Sequence, residues 1–333
     1  MAAIDSLLRA NMAQWGPVQE AVLSILGTTA TIMHMGDPHA GLPDATTFKT
    51  IGAEQVTFTW SEPWRAFDGH TQANAGEHAP YIFQGIIPVI DFNGTDEEAD
   101  SPDIAYFSVD DSGNAGFSVG AWINVTNTAS RRTILSKHRG SSTTLREWFL
   151  GLDSDDDFEL RLTDESAGVQ CVRLSDVVAT HGVWTFLVAT YDGTGGSTAA
   201  NGITLYVDGA VRASTATNNG SYVAMENLAC LVMVGSQEVN VQPFDGKMAG
   251  GPLGPWFVTH NAAGIITADK IGRLYDLHHE RAGLGLRRWR HRRTARPLRR
   301  TDHAKSRGQE VPIHGGGPGI RQALCEEHWQ ADD

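Results

Sequence analysis

Cysteine is scarce: the 333-residue chain has three, Cys171, Cys230 and Cys325. Three thiols in a chain of this length make no disulfide framework. Cys171 and Cys230 are left with two readings, one bridge between strands or two small buried apolar side chains. No stretch approaches the ~20 apolar residues of a membrane-spanning helix, so no membrane partner is expected. The opening MAAIDSLLRANMAQWGPVQEAVLSILG has no basic segment followed by an unbroken apolar run, and Asp5 and Arg9 sit where a signal peptide tolerates them least. Synthesis and assembly in the cytoplasm are expected. The sequence has no H-E-x-x-H, no P-loop and no G-x-G-x-x-G opening a helix, and a non-enzymatic protein is expected.

Positive charge is sparse over most of the chain. Residues 1–280 hold 14 basic against 33 acidic residues, whereas residues 281–333 hold 12 basic against 6 acidic. An acidic body with a basic tail does not present one uniform surface. The tail opens RAGLGLRRWRHRRTARPLRRTDHAKSRG, with ten Arg and one Lys but almost no apolar periodicity, so it builds no core. It has three readings: an electrostatic or nucleic-acid-binding arm with Trp289 for stacking, an irregular tail, or the product of a frame-shifted reading of a GC-rich gene. A nucleic-acid partner follows only from the first.

What the chain has in quantity is 41% apolar residues and nine Trp, enough for a large core. Residues 3–26 carry apolar positions close to a 3.6 period, interrupted by Gly16-Pro17, which predicts two short amphipathic helices meeting at a kink. Their stripe is buried either on this chain or on another subunit. Residues 27–85 are turn-rich, with VTFTWSEPW as a strand stopped by Pro63 and with His34, His39, His70 and His78 as loop histidines. Residues 1–85 therefore read as an arm or docking region, residues 86–280 as the main domain and residues 281–333 as the Arg-rich tail.

The main domain is a run of short apolar stretches separated by Gly, Asn, Asp and Ser, the rhythm of an antiparallel sandwich. YIFQGIIPVIDFNG is its first strand. In FSVGAWINV, Phe117, Val119, Ala121 and Ile123 share one parity and Trp122 the other, as in a strand covered on both faces. RTILSKH follows, then a pair of strands joined by the acidic turn in WFLGLDSDDDFELRLTD, then the nearly continuous apolar run WTFLVATYDG. ITLYVDGAVRAST alternates and turns at Asp208-Gly209; LACLVMVGS is another buried strand. ITADKIGRLYDL ends the domain as a short helix capped by Thr267.

In their order and spacing, the FNGTDE loop, FSVGAWINV, TILSK, WFLGLDSDDDFELRL, WTFLVATYDG, ITLYVDGAV and FDGKMAG resemble the laminin-G-like, concanavalin A-like jelly-roll family over about 190 residues. The resemblance implies a mainly β, antiparallel jelly-roll sandwich, with a small mixed amino-terminal region and an irregular basic tail outside it. It also implies calcium at the sandwich rim, for which Asp96, Glu97, Asp100 and Asp245 are the candidate ligands. This chain has Met248, Ala249 and Gly250 where the family often has an acidic pair. Trp148, Tyr191 and Tyr222 are the candidate glycan platforms, with buried strand positions as the competing reading. The carboxylates of DSDDDFELRL are weighed as a glycanase pair, but Asp153, Asp155, Asp156 and Asp157 precede the strand and only Glu159 lies within it, so a solvated turn is expected.

Together these readings lead to an expected function: a virion structural, decoration or adhesion protein of a bacteriophage that displays a lectin-like jelly roll, with other virion subunits, copies of itself and a host-surface glycan as partners. A free carbohydrate-binding lectin and a glycan-cleaving enzyme of the same fold are the alternatives.

Overall fold

The computed structural model describes residues 15–35, 44–65, 81–84, 87–109, 116–126, 130–139, 141, 144–238, 241–260 and 266–281. The strands are β1 (Ala30–Met33), β2 (Asp44–Gly52), β3 (Thr57–Arg65), β4 (Tyr81–Gln84), β5 (Ile87–Asn93), β6 (Ala99–Ser101), β7 (Gly116–Val125), β8 (Arg132–His138) and β9 (Arg146–Leu152). They continue as β10 (Asp157–Asp164), β11 (Val169–Val178), β12 (Trp184–Tyr191), β13 (Ile203–Val207), β14 (Ala210–Val211), β15 (Ser214–Asn218), β16 (Val232–Val234), β17 (Asp245–Ala249) and β18 (Trp256–His260). Helix α1 spans Trp15–Leu26 and α2 spans Ala268–Arg281.

Every named pairing is antiparallel, and the strands form two layers. One layer runs β4-β5-β17-β7-β12-β13-β14, and β18 shares the β17 side of β7, through Met248↔Ile123 and then Trp256↔Gly120. The other runs β2-β3-β6-β16-β8-β9-β10-β11-β15. We call the first, which α1 and α2 cover, the inner-helix sheet and the second the open sheet, a label of position only, since its outward Ser136, Phe149 and Glu159 are buried.

Between the sheets lies the main core, where Phe117, Trp148, Phe257, Leu150, Leu160 and Leu205 are fully buried. A second core lies on the far side of the inner-helix sheet. There Val18, Val22, Ile25 and Leu26 of α1 and Ile271 and Leu274 of α2 cover Trp122, Phe186, Val188 and Trp256. Trp122 stacks on Phe186 at 5.1 Å and on Tyr275 at 5.7 Å. The two parities of β7 are thus both buried, as its sequence requires, and each large apolar side chain so placed contributes about 2 kcal/mol.

The amino-terminal residues differ from their expected role. β1 pairs with β18 (Ala30↔Val258), β2 with β1 (Ile32↔Ile51), and β3 with β6 (Thr59↔Asp100), so β1, β2 and β3 complete both sheets rather than forming an arm. The α1 stripe is buried on this chain. Gly16-Pro17 lies in the first turn of α1, where proline is tolerated because its missing N–H has no intrahelical partner; residues 1–14 and the preceding half of the expected kink lie outside the described residues. β3 runs on past Pro63, because the proline falls within the register shift opposite Ala45 and Thr47, where no ladder N–H is required. His34 is buried rather than solvated; His39, His70 and His78 lie outside the described residues.

YIFQGIIPVIDFNG, expected as one strand, forms two, β4 and β5, which pair antiparallel from Tyr81↔Ile90 to Gln84↔Ile87, while the turn and cap expectations hold. Asp208 and Gly209 have φ of 53° and 78°, the left-handed pair of a two-residue hairpin between β13 and β14. Thr267 caps α2 through a 3.4 Å bond from the Lys270 N–H to its Oγ1. Cys171 and Cys230 are both free thiols and both buried. The tail beyond Arg281 lies outside the described residues.

Candidate functional site

Strand alternation decides which side chains the open sheet turns outward. On β10, Phe158, Leu160 and Leu162 enter the main core, so Glu159 and Arg161 face away from it. Their register partners on β9 are Gly151 and Phe149, and Phe149 in turn pairs with Ser136 on β8. A methyl group on Gly151 would lie 2.1 Å from the Arg132 carbonyl oxygen, which keeps this position free of a side chain.

The outward side chains form a charged cluster. Arg161 donates from Nε to Glu159 Oε1 at 2.7 Å and from Nη2 to the same oxygen at 2.6 Å, while Arg131 Nη2 approaches Glu159 Oε2 at 3.2 Å. Glu159 is fully buried beneath them. Arg146 makes a two-bond fork with Glu165, Nε to Oε2 at 2.8 Å and Nη2 to Oε1 at 2.9 Å. His138 packs edge-on to Phe149 at 6.4 Å and is 4% exposed. Burial, followed by the guanidiniums of Arg161, Arg146 and Arg131, pushes His138 down to about 3, so its ring is neutral at physiological pH. Three guanidiniums here stand against two carboxylates, leaving the cluster one positive charge in an otherwise acidic chain.

At the end of the same face a cavity of about 230 Å³ is lined by Arg139 and Leu145, which follow β8 and precede β9, and by residues in and on either side of β16. Leu145, Cys230, Leu231 and Met233 give it apolar walls, and Arg139 and Glu238 form part of its lining, paired at 2.8 Å. Met233 is the register partner of Ser136, which connects the cavity to the cluster across one strand. Arginine forks held in place by carboxylates beside a partly apolar cavity can hydrogen-bond hydroxyl and carboxylate oxygens of a ligand.

The aromatic residues expected to hold a glycan are inside. Trp148 is fully buried, stacks on Phe257 at 5.2 Å and donates from Nε1 to the Phe107 carbonyl at 2.8 Å. Tyr191 and Tyr222 do come together, edge to face at 6.1 Å, but at 3% and 1% exposure they face each other in the core. None of the three presents a ring to a ligand. The competing core reading of these residues is the one the structure shows.

Asp96, Glu97 and Asp245 border one turn. Asn93 is the register partner of Asp245; its N–H donates to Glu97 Oε2 at 2.6 Å and its Nδ2 to Asp96 Oδ1 at 2.8 Å. Asp245 packs against Gly94. Asp100 lies apart from them on β6 in the open sheet, opposite Met233 and Thr59. Among the described residues no group of three or more His, Cys, Asp or Glu side chains is gathered to hold a metal ion. The four candidate ligands do not converge into a calcium cage.

The acidic run forms the turn before β10. Asp153 Oδ1 accepts the N–H groups of Asp155 and Asp157, and Asp156 takes a φ of 66° and pairs with His181 at 2.8 Å. The chain also contains one G-x-S-x-G spacing, Gly116–Gly120, but Ser118 is buried inside β7, in register with Thr190 and Val258, and not on a strand-to-helix turn where such a serine would be an exposed nucleophile. The arginines of the open sheet were not singled out from the sequence. The signal available was the i, i+2 spacing of Glu159 and Arg161 in FELRL.

With this geometry in view, the comparison with known families is decisive for the fold. Residues 93–250 match the laminin G model described as the concanavalin A-like lectin/glucanases superfamily. The sandwich is a concanavalin A-like jelly roll. No curated protein matches the chain. Among solved structures, the receptor binding domain of botulinum neurotoxin mosaic serotype C/D is 12% identical, over 76% of this chain and 51% of that one, with a TM-score of 0.45. Trypanosoma rangeli sialidase is 11% identical over 83% and 39%, with a TM-score of 0.46. The heptameric SAP-like pentraxin of Limulus polyphemus is 11% identical over 56% and 81%, with a TM-score of 0.35. The chain spans about half the length of the toxin binding domain it matches. Among the described residues, no helix of the jelly roll or of its covering layer is long and apolar enough to cross a membrane.

Proposed function

We propose that this protein is a carbohydrate-recognition jelly roll without catalytic activity, displayed on a bacteriophage particle where it engages host-surface glycans. The observation that carries the reading is the outer face of the open sheet, where Arg131, Arg146 and Arg161 are oriented by Glu159 and Glu165 beside a cavity. Guanidiniums fixed in this way pair with neighbouring oxygens at low entropic cost. The residual positive charge favours a saccharide bearing a carboxylate or sulfate over a neutral one.

Two features support the setting on a particle: a lectin-like fold and a sequence without a metalloprotease, P-loop or dinucleotide-binding fingerprint. In that setting its partners are other virion subunits and further copies of this chain, as a symmetric oligomer. Calcium bound at the sandwich rim belongs to the same proposal, through oxygens other than Asp96, Glu97, Asp100 and Asp245 acting together.

The test is an array of neutral and acidic glycans probed with the full-length chain, in calcium and again in chelator. Binding to acidic glycans that disappears in Arg161→Ala supports the reading, and loss in chelator adds the metal. A folded chain that binds nothing in either condition removes glycan recognition and leaves a scaffold. Release of glycan fragments by the wild type but not by Glu159→Gln would replace the proposal with a glycan-cleaving enzyme. Electron microscopy of a particle without density for this chain removes the virion setting and leaves a free lectin.

A further inference from the structure

Lys137 is the most deeply buried cation in the described structure, and its surroundings have no part in the open-sheet site. It sits on β8 opposite Trp148, with its side chain turned into the end of the sandwich and fully excluded from solvent. Nζ donates to Ser108 Oγ at 2.8 Å and to the Leu228 carbonyl at 2.8 Å, and lies 2.9 Å from Asp103 Oδ1. A short contact joins it to Glu147 Oε1. Glu147 is itself fully buried; Oε1 also accepts the Leu228 N–H at 2.9 Å, and Oε2 has no hydrogen-bond partner. Asp103 belongs to the segment between β6 and β7 and is 37% exposed.

The Lys137 amine is therefore held in contact with two carboxyl groups, Asp103 and Glu147, with water kept from the amine and from Glu147. We propose that Lys137 and Asp103 condense to an intramolecular amide, with Glu147 as the proton carrier. The step needs no co-reactant and no redox change. Glu147 takes a proton from the Lys137 ammonium, and the free amine attacks Asp103 Cγ. A carboxyl oxygen of Asp103 then leaves as water, carrying the proton returned by Glu147 and a second proton from the nitrogen. One C–N bond forms, one C–O bond breaks, and Glu147 ends ionised as it began.

Two physical effects favour the reaction. Holding the reacting atoms in contact replaces a bimolecular encounter with an effective concentration that reaches ~10⁵ M or more in well-oriented systems. Burial raises the carboxyl of Glu147 to about 7 even against the opposing pull of Lys137, so both of its protonation states are within reach at neutral pH. The product would tie the loop that carries Ser108 and Phe107 to the centre of the open sheet. Such a staple suits a protein that bears load at a surface, although the chemistry does not depend on the glycan reading.

The experiment is an intact-mass measurement on the purified full-length chain, followed by tandem mass spectrometry of its peptides. The expected mass is one water below that of the sequence, with a branched peptide joining the segments of Asp103 and Lys137. Asp103→Ala, a change at a partly exposed position that leaves Lys137 and Glu147 intact, should return the mass to the sequence value for that variant. Glu147→Gln should abolish or strongly slow the loss of water, and an undiminished cross-link in that variant would refute its role as carrier. A folded wild-type chain at its full sequence mass overturns the proposal. So does loss of water without a branched peptide, which would be a succinimide at Asp103 alone.

Discussion

Glu159 and Arg161, two residues apart on β10, meet on the outer side of the open sheet with Arg161 Nε 2.7 Å from Glu159 Oε1. The contact is possible because alternate strand residues share a face, and it is shielded because Glu159 is fully buried. Removing the carboxylate leaves two guanidiniums facing each other without compensation. Glu159→Gln is expected to lower unfolding stability by about 3 kcal/mol, read from the midpoint shift in a denaturant titration. A variant as stable as the wild type would mean that Arg131 and Arg161 find water or other partners and that the cluster is not held as described.

Arg161→Ala tests recognition at the same site. With Glu159 still paired to Arg131, the expected outcome is a folded protein with unchanged near-ultraviolet circular dichroism and at least a tenfold loss of affinity for acidic glycans, which corresponds to about 1.4 kcal/mol. Unchanged affinity would move the binding surface elsewhere.

His138 makes stability depend on pH. Its folded-state value, pushed down to about 3 by burial and the surrounding guanidiniums, lies below the ordinary 6.5, so the unfolded chain binds the extra proton first. Stability from this residue is complete above about pH 6.5 and falls progressively as the pH drops towards 3. His138→Gln should flatten that part of the stability curve. If the two curves run parallel between pH 6.5 and 4, His138 does not control the acid limb.

Truncation reports on the amino-terminal strands. A fragment beginning at residue 86 loses α1 and β1 to β4, and with them the partners of β18, β6 and β5 together with the buried Phe48, Phe58 and Trp60. The expected product lacks a cooperative thermal transition, whereas the full chain has one. A well-folded fragment would show that the jelly roll closes without α1 and its first four strands.

The outer core offers a separate check. Trp122→Ala removes the ring on which Phe186 and Tyr275 stack and is expected to cost about 4 kcal/mol in a denaturant titration. A loss below about 1 kcal/mol would indicate that α2 is not docked on β7.

Much of the sandwich was legible in the sequence because strands announce themselves locally. Alternation in FSVGAWINV and FELRL and the Asp208-Gly209 turn are each decided within a few residues, as is the Thr267 cap. The double burial of β7 was legible too, since Trp122 stands on the parity opposite Phe117 and Val119. What a short window could not reveal was partnership between distant segments. Nothing in ATIM announces β18 as its neighbour, and the turn-rich sequence around it reads as an arm until the pairing Ala30↔Val258 is seen.

The candidate site divides along the same line. By itself the sequence determined the residue types, their strand parity and the charge contrast between body and tail, all of which follow from local spacing and composition. Only the tertiary structure decided exposure, because burial depends on what another part of the chain lays over a residue. Trp148, Tyr191 and Tyr222 went to the core, while Arg131, Arg146 and Arg161, from three different segments, were gathered around His138. The same packing set Lys137 against Asp103 and Glu147, a contact that requires the sheet, the loop before β7 and the segment at Leu228 to close on one point.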